Sequence, residues 1–139
     1  MTEEVISIVE FSEDIGEQNP PEPLPVRDYP AQIVSAEVKT SARDTKYAAV
    51  GFFINVDDYP ADYSVDNGPD GKTIIFRRVG MEDNNQSRYG LKRFLEAIGA
   101  PMSTRIDCND WVGLDATVSV EHDTWEGVTR EQIVRVSAA

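Results

Sequence analysis

Basic and aromatic side chains with the chemistry to bind a nucleic acid lie in two parts of this 139-residue chain. Three bases fall on the first predicted hairpin, and two adjacent arginines fall on the third predicted strand. Two aromatic residues share one face of the second predicted strand. Cations neutralise phosphates and aromatic rings stack on bases, which is how proteins hold single strands without sequence preference. The candidate residues are Lys39, Arg43, Lys46, Tyr47, Phe53, Arg77 and Arg78. The alternative for Tyr47 and Phe53 is packing against the acidic loop or the N-terminal arm.

Residues for catalysis or metal binding are few. Cys108 is the only cysteine and His122 the only histidine, which excludes an internal disulfide framework and a Cys-rich zinc site. A Ser-His-Asp triad would have to use His122, and no nucleophile signature lies nearby. The chain has no P-loop, dinucleotide fingerprint, nucleophile elbow or zinc motif. The sequence therefore predicts a protein that is not an enzyme, with no catalytic residues, no cofactor and no metal.

Charge is unevenly distributed along the chain. There are 13 bases and 25 acids, for a net charge of −12. Residues 1–24 hold seven acids and no base, whereas residues 71–105 hold seven bases and three acids. One interpretation is a solvated surface with an acidic arm. The other is that the basic middle of the chain meets an anion while acidic segments guard it.

The first 24 residues are predicted to be an extended arm, followed by one domain over residues 25–139. Four of the eight prolines lie between residues 20 and 25, and such a segment favours an extended conformation. A short apolar run within the acidic arm can add as a strand to a sheet edge, its own or a partner's. A tryptophan in the last predicted hairpin is a second candidate contact. The predicted partner-contact residues are Val5, Ile6, Ile8, Val9, Phe11 and Trp125.

The elements that must position these residues are five strands and one helix. A phase slip within the first strand predicts a bulge, and Gly51 in the second predicts a bend or a close approach of another chain. Leu91, Phe94, Leu95 and Ile98 form the apolar stripe of the helix, which Asn85 or Ser87 is expected to cap and Gly99 to end. Trp111 is expected to plug one end of the barrel. The predicted strands are 29–40, 47–56, 72–79, 114–121 and 128–136, with the helix at 87–98.

The order β-β-β-α-β-β is that of an OB-fold, a small five-stranded barrel. A mainly β, OB-fold-like barrel with one helix and an extended N-terminal arm is therefore the predicted fold. A small α+β sandwich is the alternative.

Several segments between residues 11 and 136 resemble a family of small bacteriophage proteins long catalogued as a domain of unknown function. Some members of that family are OB-fold proteins that bind single-stranded DNA. The resemblance implies the same fold and a phage-encoded protein that binds single-stranded DNA in the host cytoplasm. The segments are Phe11-Ser12-Glu13-Asp14, Pro23-Leu24-Pro25, Tyr29-Pro30-Ala31-Gln32-Ile33, Glu37-Val38-Lys39, Arg93-Phe94-Leu95-Glu96-Ala97-Ile98-Gly99 and Asp110-Trp111-Val112-Gly113.

Two functions from different classes follow. The first is binding of single-stranded DNA with low sequence specificity, by backbone neutralisation and base stacking. The second is a structural role in the virion, such as capsid decoration, with the major capsid protein as partner. In either case the arm is predicted to mediate homo-oligomerisation or assembly; the alternative is that it is autoinhibitory and occupies the basic groove when DNA is absent. An inhibitor whose acidic surface imitates nucleic acid is a third possibility. No membrane association is expected, since no run of 18 apolar residues or signal-peptide pattern occurs.

Overall fold

A single antiparallel sheet of five strands organises the chain. The computed structural model describes residues 7–18, 22–61, 63 and 72–139. The helix α1 (Asn85–Ile98) lies between the third and fourth strands, so the mainly β fold and the element order are confirmed. The sheet order is β3-β2-β1-β4-β5, and the sheet is not closed, so the predicted barrel is not confirmed. The strands are β1 (Arg27–Thr40), β2 (Lys46–Asn55), β3 (Lys72–Gly80), β4 (Asp115–Trp125) and β5 (Val128–Ser137).

The predicted bulge in β1 is present at Val34. Ile33 pairs with Phe52 and Ser35 pairs with Gly51, so one extra residue stands on β1. The extra residue returns Ala36 to the side of the sheet that Ile33 occupies, and the strand bends there. This bulge allows one long strand to pair with β2 along its second half and with β4 along its first.

The core lies between the inner side of the sheet and α1. Phe94 of α1 makes edge-to-face contacts with Phe52 of β2 and with Trp111, at centroid distances of 6.5 and 5.3 Å. Gly99 adopts φ 71° and ends the helix, as predicted. The predicted cap is wrong: Asn84, not Asn85 or Ser87, caps the helix, because its side chain accepts the N–H of Ser87 at 2.9 Å.

The last residues before β1 pack onto the domain. Leu24, which the sequence analysis places at the end of the arm, is fully buried. Its N–H donates to the Glu131 carboxylate at 3.3 Å, and its carbonyl oxygen lies 2.8 Å from Nε2 of His122. The Tyr63 hydroxyl donates to the Glu22 carbonyl at 2.7 Å. The arm is thus anchored against β4 and β5 at its C-terminal end.

Among the helices of the described segments, none is long and apolar enough to span a bilayer.

Two buried tyrosines make the fold sensitive to alkali. Burial raises the pKa of Tyr29 and of Tyr63 from 10.0 to about 12. Each folded-state pKa lies above its unfolded value, so the stabilisation is complete below pH 10 and is lost as the pH rises towards 12. We expect the urea midpoint to fall across this pH range. In Tyr29→Phe the fall should be shallower, whereas Tyr89→Phe, at an exposed site, should keep the wild-type slope. An equal slope in all three proteins would contradict this assignment.

Candidate nucleic-acid interface

The side of β1, β2 and β3 that faces away from the core carries most of the predicted binding residues. Ala48, Val50, Phe52 and Ile54 of β2 are fully buried, so the alternate residues of that strand point outward. Cross-strand pairing then fixes the neighbours of these residues on β1 and β3. We call this surface the outer face. It consists of Ser35, Glu37, Lys39, Tyr47, Ala49, Gly51, Phe53, Ile74, Phe76 and Arg78.

One end of the outer face is apolar. Phe76 pairs with Gly51 and leaves 64% of its surface exposed, and Ile74 pairs with Phe53 and is 44% exposed. A Cβ on Gly51 would lie 2.4 Å from Oγ of Ser35, 3.0 Å from Ile74 and 3.1 Å from the Phe76 ring. Gly51 therefore permits the close approach of these side chains, which belong to neighbouring strands of the same chain; the predicted approach of another chain stays a prediction. The space above it holds the edge of Phe76, so a base would contact that ring rather than rest on the glycine.

The other end of the outer face is basic. The guanidinium carbon of Arg78 lies 4.5 Å from the centre of the Tyr47 ring, which is a cation–π contact. Lys39 pairs with Tyr47 from the opposite strand. Arg78 covers one face of this ring, so the planar guanidinium becomes the stacking surface there. Glu37 is an acid on the same face, and in the described part of the chain it makes no ion pair with either base.

Three of the predicted cations do not join the outer face. Arg77 points to the inner side with Ile75 and Val79, and its guanidinium donates to the carbonyl of Ile133 on β5. Burial lowers the pKa of Arg77. Lys46 alternates with Tyr47 and therefore lies on the other side of β2, while Arg43 is exposed at the turn of the first hairpin. The structure thus brings together Lys39, Tyr47, Phe53 and Arg78, and separates Arg77, Lys46 and Arg43 from them.

Phe76 is the residue that the sequence analysis missed. Ile74, Ile75 and Phe76 are consecutive apolar residues, so their pattern alone does not say which of them faces outward. Ile75 and Val79 are buried, so the odd-numbered residues of β3 from 75 to 79 face the core and Phe76 is exposed on the other side. The useful signal was Gly51 on the neighbouring strand, because a glycine in a strand marks a close approach from its partner.

The predicted partner-contact residues are exposed wherever they are described. Ile8, Val9 and Phe11 on the arm have most of their surface accessible. Trp125 lies at the β4–β5 hairpin, whose turn residues Glu126 and Gly127 adopt φ 51° and 78°, and it is 75% exposed. Val5 and Ile6 lie outside the described residues.

Comparison with protein-family models and with curated proteins gives no match. The resemblance to phage proteins therefore stays a prediction.

Within the described segments, no three residues among His, Cys, Asp and Glu are grouped so that they could hold a metal ion.

Proposed function

We propose that this protein binds single-stranded DNA on the outer face with little sequence preference, as a phage-encoded protein of the host cytoplasm. The observation that carries the proposal is an exposed aromatic ring, Phe76, two residues from the exposed Arg78 on one strand. Phe76 and the exposed Ile74 lie side by side above Gly51, and contiguous exposed apolar patches with polar rims mark interaction sites. Base stacking and phosphate neutralisation are the two interactions that a non-specific single-strand binder needs.

The strand arrangement supports an OB-fold as the framework. The edge strands β3 and β5 come within 8 Å of each other, and the Arg77 guanidinium bridges them. In a five-stranded barrel these two edges are the ones that meet, and the strands at the centre of the outer face are those that bind oligonucleotides. The position of α1 between β3 and β4 agrees with that order.

The mechanism follows from the two ends of the outer face. One base stacks on Phe76, with Phe53 and Ile74 supporting it from the side. Another stacks on the Arg78 guanidinium, whose charge also attracts the backbone between the two bases. Every base has an aromatic face, so this arrangement distinguishes little between sequences. The net charge of −12 opposes DNA at long range and lowers the affinity, while the local contacts with phosphates make the binding weaken as salt rises.

A titration with labelled oligo-dT of about 30 nucleotides tests the proposal. We expect micromolar or tighter binding that weakens with salt. Competition by unlabelled duplex DNA should be weaker than competition by unlabelled single strands. Absence of binding across a series from low to moderate salt would refute the proposed function.

Replacing Arg78 by glutamine should lower the affinity and flatten the salt dependence. One lost phosphate contact reduces the slope of log K against log salt by roughly 0.7 for single strands. Arg130→Gln is the matched control, because it removes the same charge from an exposed position on β5. Slopes that fall equally in both variants would indicate that only net charge matters.

A structural role in the virion is the second candidate, and the exposed apolar side chains of the arm favour it. Ile8, Val9 and Phe11 lie outside the assigned helices and strands with acidic neighbours, and addition to a partner's sheet edge would bury them. The partner would be the major capsid protein or a second copy of this chain. Deleting residues 2–18 leaves the anchored Leu24 in place and should weaken assembly on particles without unfolding the domain. A truncated protein that assembles like the full chain would exclude this role for the arm.

A further inference from the structure

A basic cleft opens beside the outer face, between β3, β5 and α1. It has a volume of about 800 Å³ and is lined by Arg77 and Arg78 of β3, Arg93 of α1 and Arg135 of β5. Glu96 is the one acid in its lining, and its carboxylate lies 3.7 Å from Nζ of Lys92. Four arginines from three elements thus line the cleft, with the Arg77 guanidinium bonded to the Ile133 carbonyl and the Arg78 guanidinium lying over Tyr47.

The arginines of the cleft have no carboxylate within ion-pair distance in the described segments. The chain has 25 acids for 13 bases, so partners are abundant. Over the described segments, the ion pairs are Arg88 with Asp83 and Lys92 with Glu96, and neither includes an arginine of the cleft. Arg77 donates to one carbonyl, which leaves most of its five N–H groups for another acceptor. Like charges gathered without counter-charges repel each other, and an anion in the cleft would relieve that repulsion.

A glycine inside α1 points to the same cleft. Gly90 lies six residues into the helix and lines the cleft, and a Cβ built on it meets no atom within 4 Å. Glycine within a helix is less stable than alanine, and nothing in the described structure requires it at this position. Its absent side chain leaves the wall of the cleft open for close approach of a ligand.

A bulge in the edge strand shapes the opposite wall. Val120 pairs with Ile133 and Ser119 pairs with Arg135, so Val134 is the extra residue on β5. Both Val134 and Arg135 line the cleft. Bulges at sheet edges commonly redirect side chains towards sites.

We propose that this cleft binds backbone phosphates of the same DNA strand that crosses the outer face. Arg78 belongs to both surfaces, since it covers Tyr47 and also lines the cleft. A strand that leaves the outer face over β3 therefore passes Arg78 and meets Arg93 and Arg135 next. This inference rests on the proposed function and assigns the cleft as its second contact region. Short oligonucleotides occupy the outer face alone, and longer ones also fill the cleft.

The test compares oligo-dT of about four nucleotides, the lower limit for one OB-fold, with oligo-dT of about 12. The variants of the full chain are Arg93→Gln combined with Arg135→Gln, and Gly90→Met, which fills the cleft without changing charge. Both should weaken binding of the longer oligonucleotide by roughly tenfold and leave the shorter one within about twofold. The double arginine variant should also flatten the salt slope for the longer strand by roughly 1.4, for two phosphates. Arg130→Gln should change neither affinity.

Folding is checked independently. Gly90→Ala should raise the melting temperature by roughly 2–5 °C, because no contact is lost and helix propensity increases.

If wild-type protein binds the longer strand and the cleft variants bind it equally well, the cleft is not a DNA site while the proposed function stands. Equal weakening of both lengths would also overturn the cleft assignment. If wild-type protein binds neither oligonucleotide, the proposed function itself fails.

Discussion

Replacing Phe76 by alanine should weaken oligo-dT binding by about 1–3 kcal/mol, the range found for one stacked base. This corresponds to a loss of about 5- to 150-fold in affinity. The ring is 64% exposed, so its removal exposes little new apolar surface and should change the melting temperature only slightly. Fluorescence anisotropy with labelled oligo-dT measures the affinity, and thermal unfolding of the same samples measures stability.

Tyr89→Ala is the matched control for Phe76. Tyr89 is 60% exposed on α1, away from the outer face, so the variant also removes an exposed aromatic ring. It should leave binding unchanged. Phe53→Ala is informative in a different way, because Phe53 is half-buried and its loss should reduce both affinity and stability. Intact affinity in Phe76→Ala would remove stacking on β3 from the mechanism.

The strand pattern of the fold was predictable because period-two alternation is a local property. In β4 the inward positions Ala116, Val118 and Val120 are buried as expected. The bulge in β1 could also be predicted from the sequence. An extra residue moves the alternating apolar residues from odd to even positions within the strand. Whether the sheet closes could not be predicted from the sequence, since it depends on the distance between β3 and β5, which the packing of the whole domain determines.

The candidate site was predictable only in part, for a related reason. Arg77 and Arg78 are chemically identical and adjacent, and they point to opposite sides of β3. Only burial of the flanking Ile75 and Val79 determines which arginine faces outward.

The burial of Leu24 could not be predicted from the local sequence either. A proline-rich segment predicts extended backbone, but the residues that bond to the backbone of this leucine, His122 and Glu131, lie 98 and 107 positions away along the chain.

Trp111→Ala should be the most destabilising single change considered for this domain. Trp111 is 1% exposed and its ring contacts Phe94 of α1, so it is buried in the core, whereas its predicted place at the end of a barrel stays a prediction. Removing a buried tryptophan side chain costs about 3–5 kcal/mol of the free energy of unfolding, since it loses apolar burial and leaves a cavity. Domains are stable by only about 5–15 kcal/mol, so the variant should melt roughly 10–20 °C lower.

Trp125→Ala provides the matched control, because it deletes the same side chain from a position that is 75% exposed. Its melting temperature should stay close to that of the wild type. The two variants also separate function from stability. Trp111 holds α1, and with it Arg93, against the sheet through Phe94, so Trp111→Ala should weaken binding of long oligonucleotides more than short ones even where it remains folded. Equal melting temperatures for the two variants would contradict the packing of α1 on which the cleft depends.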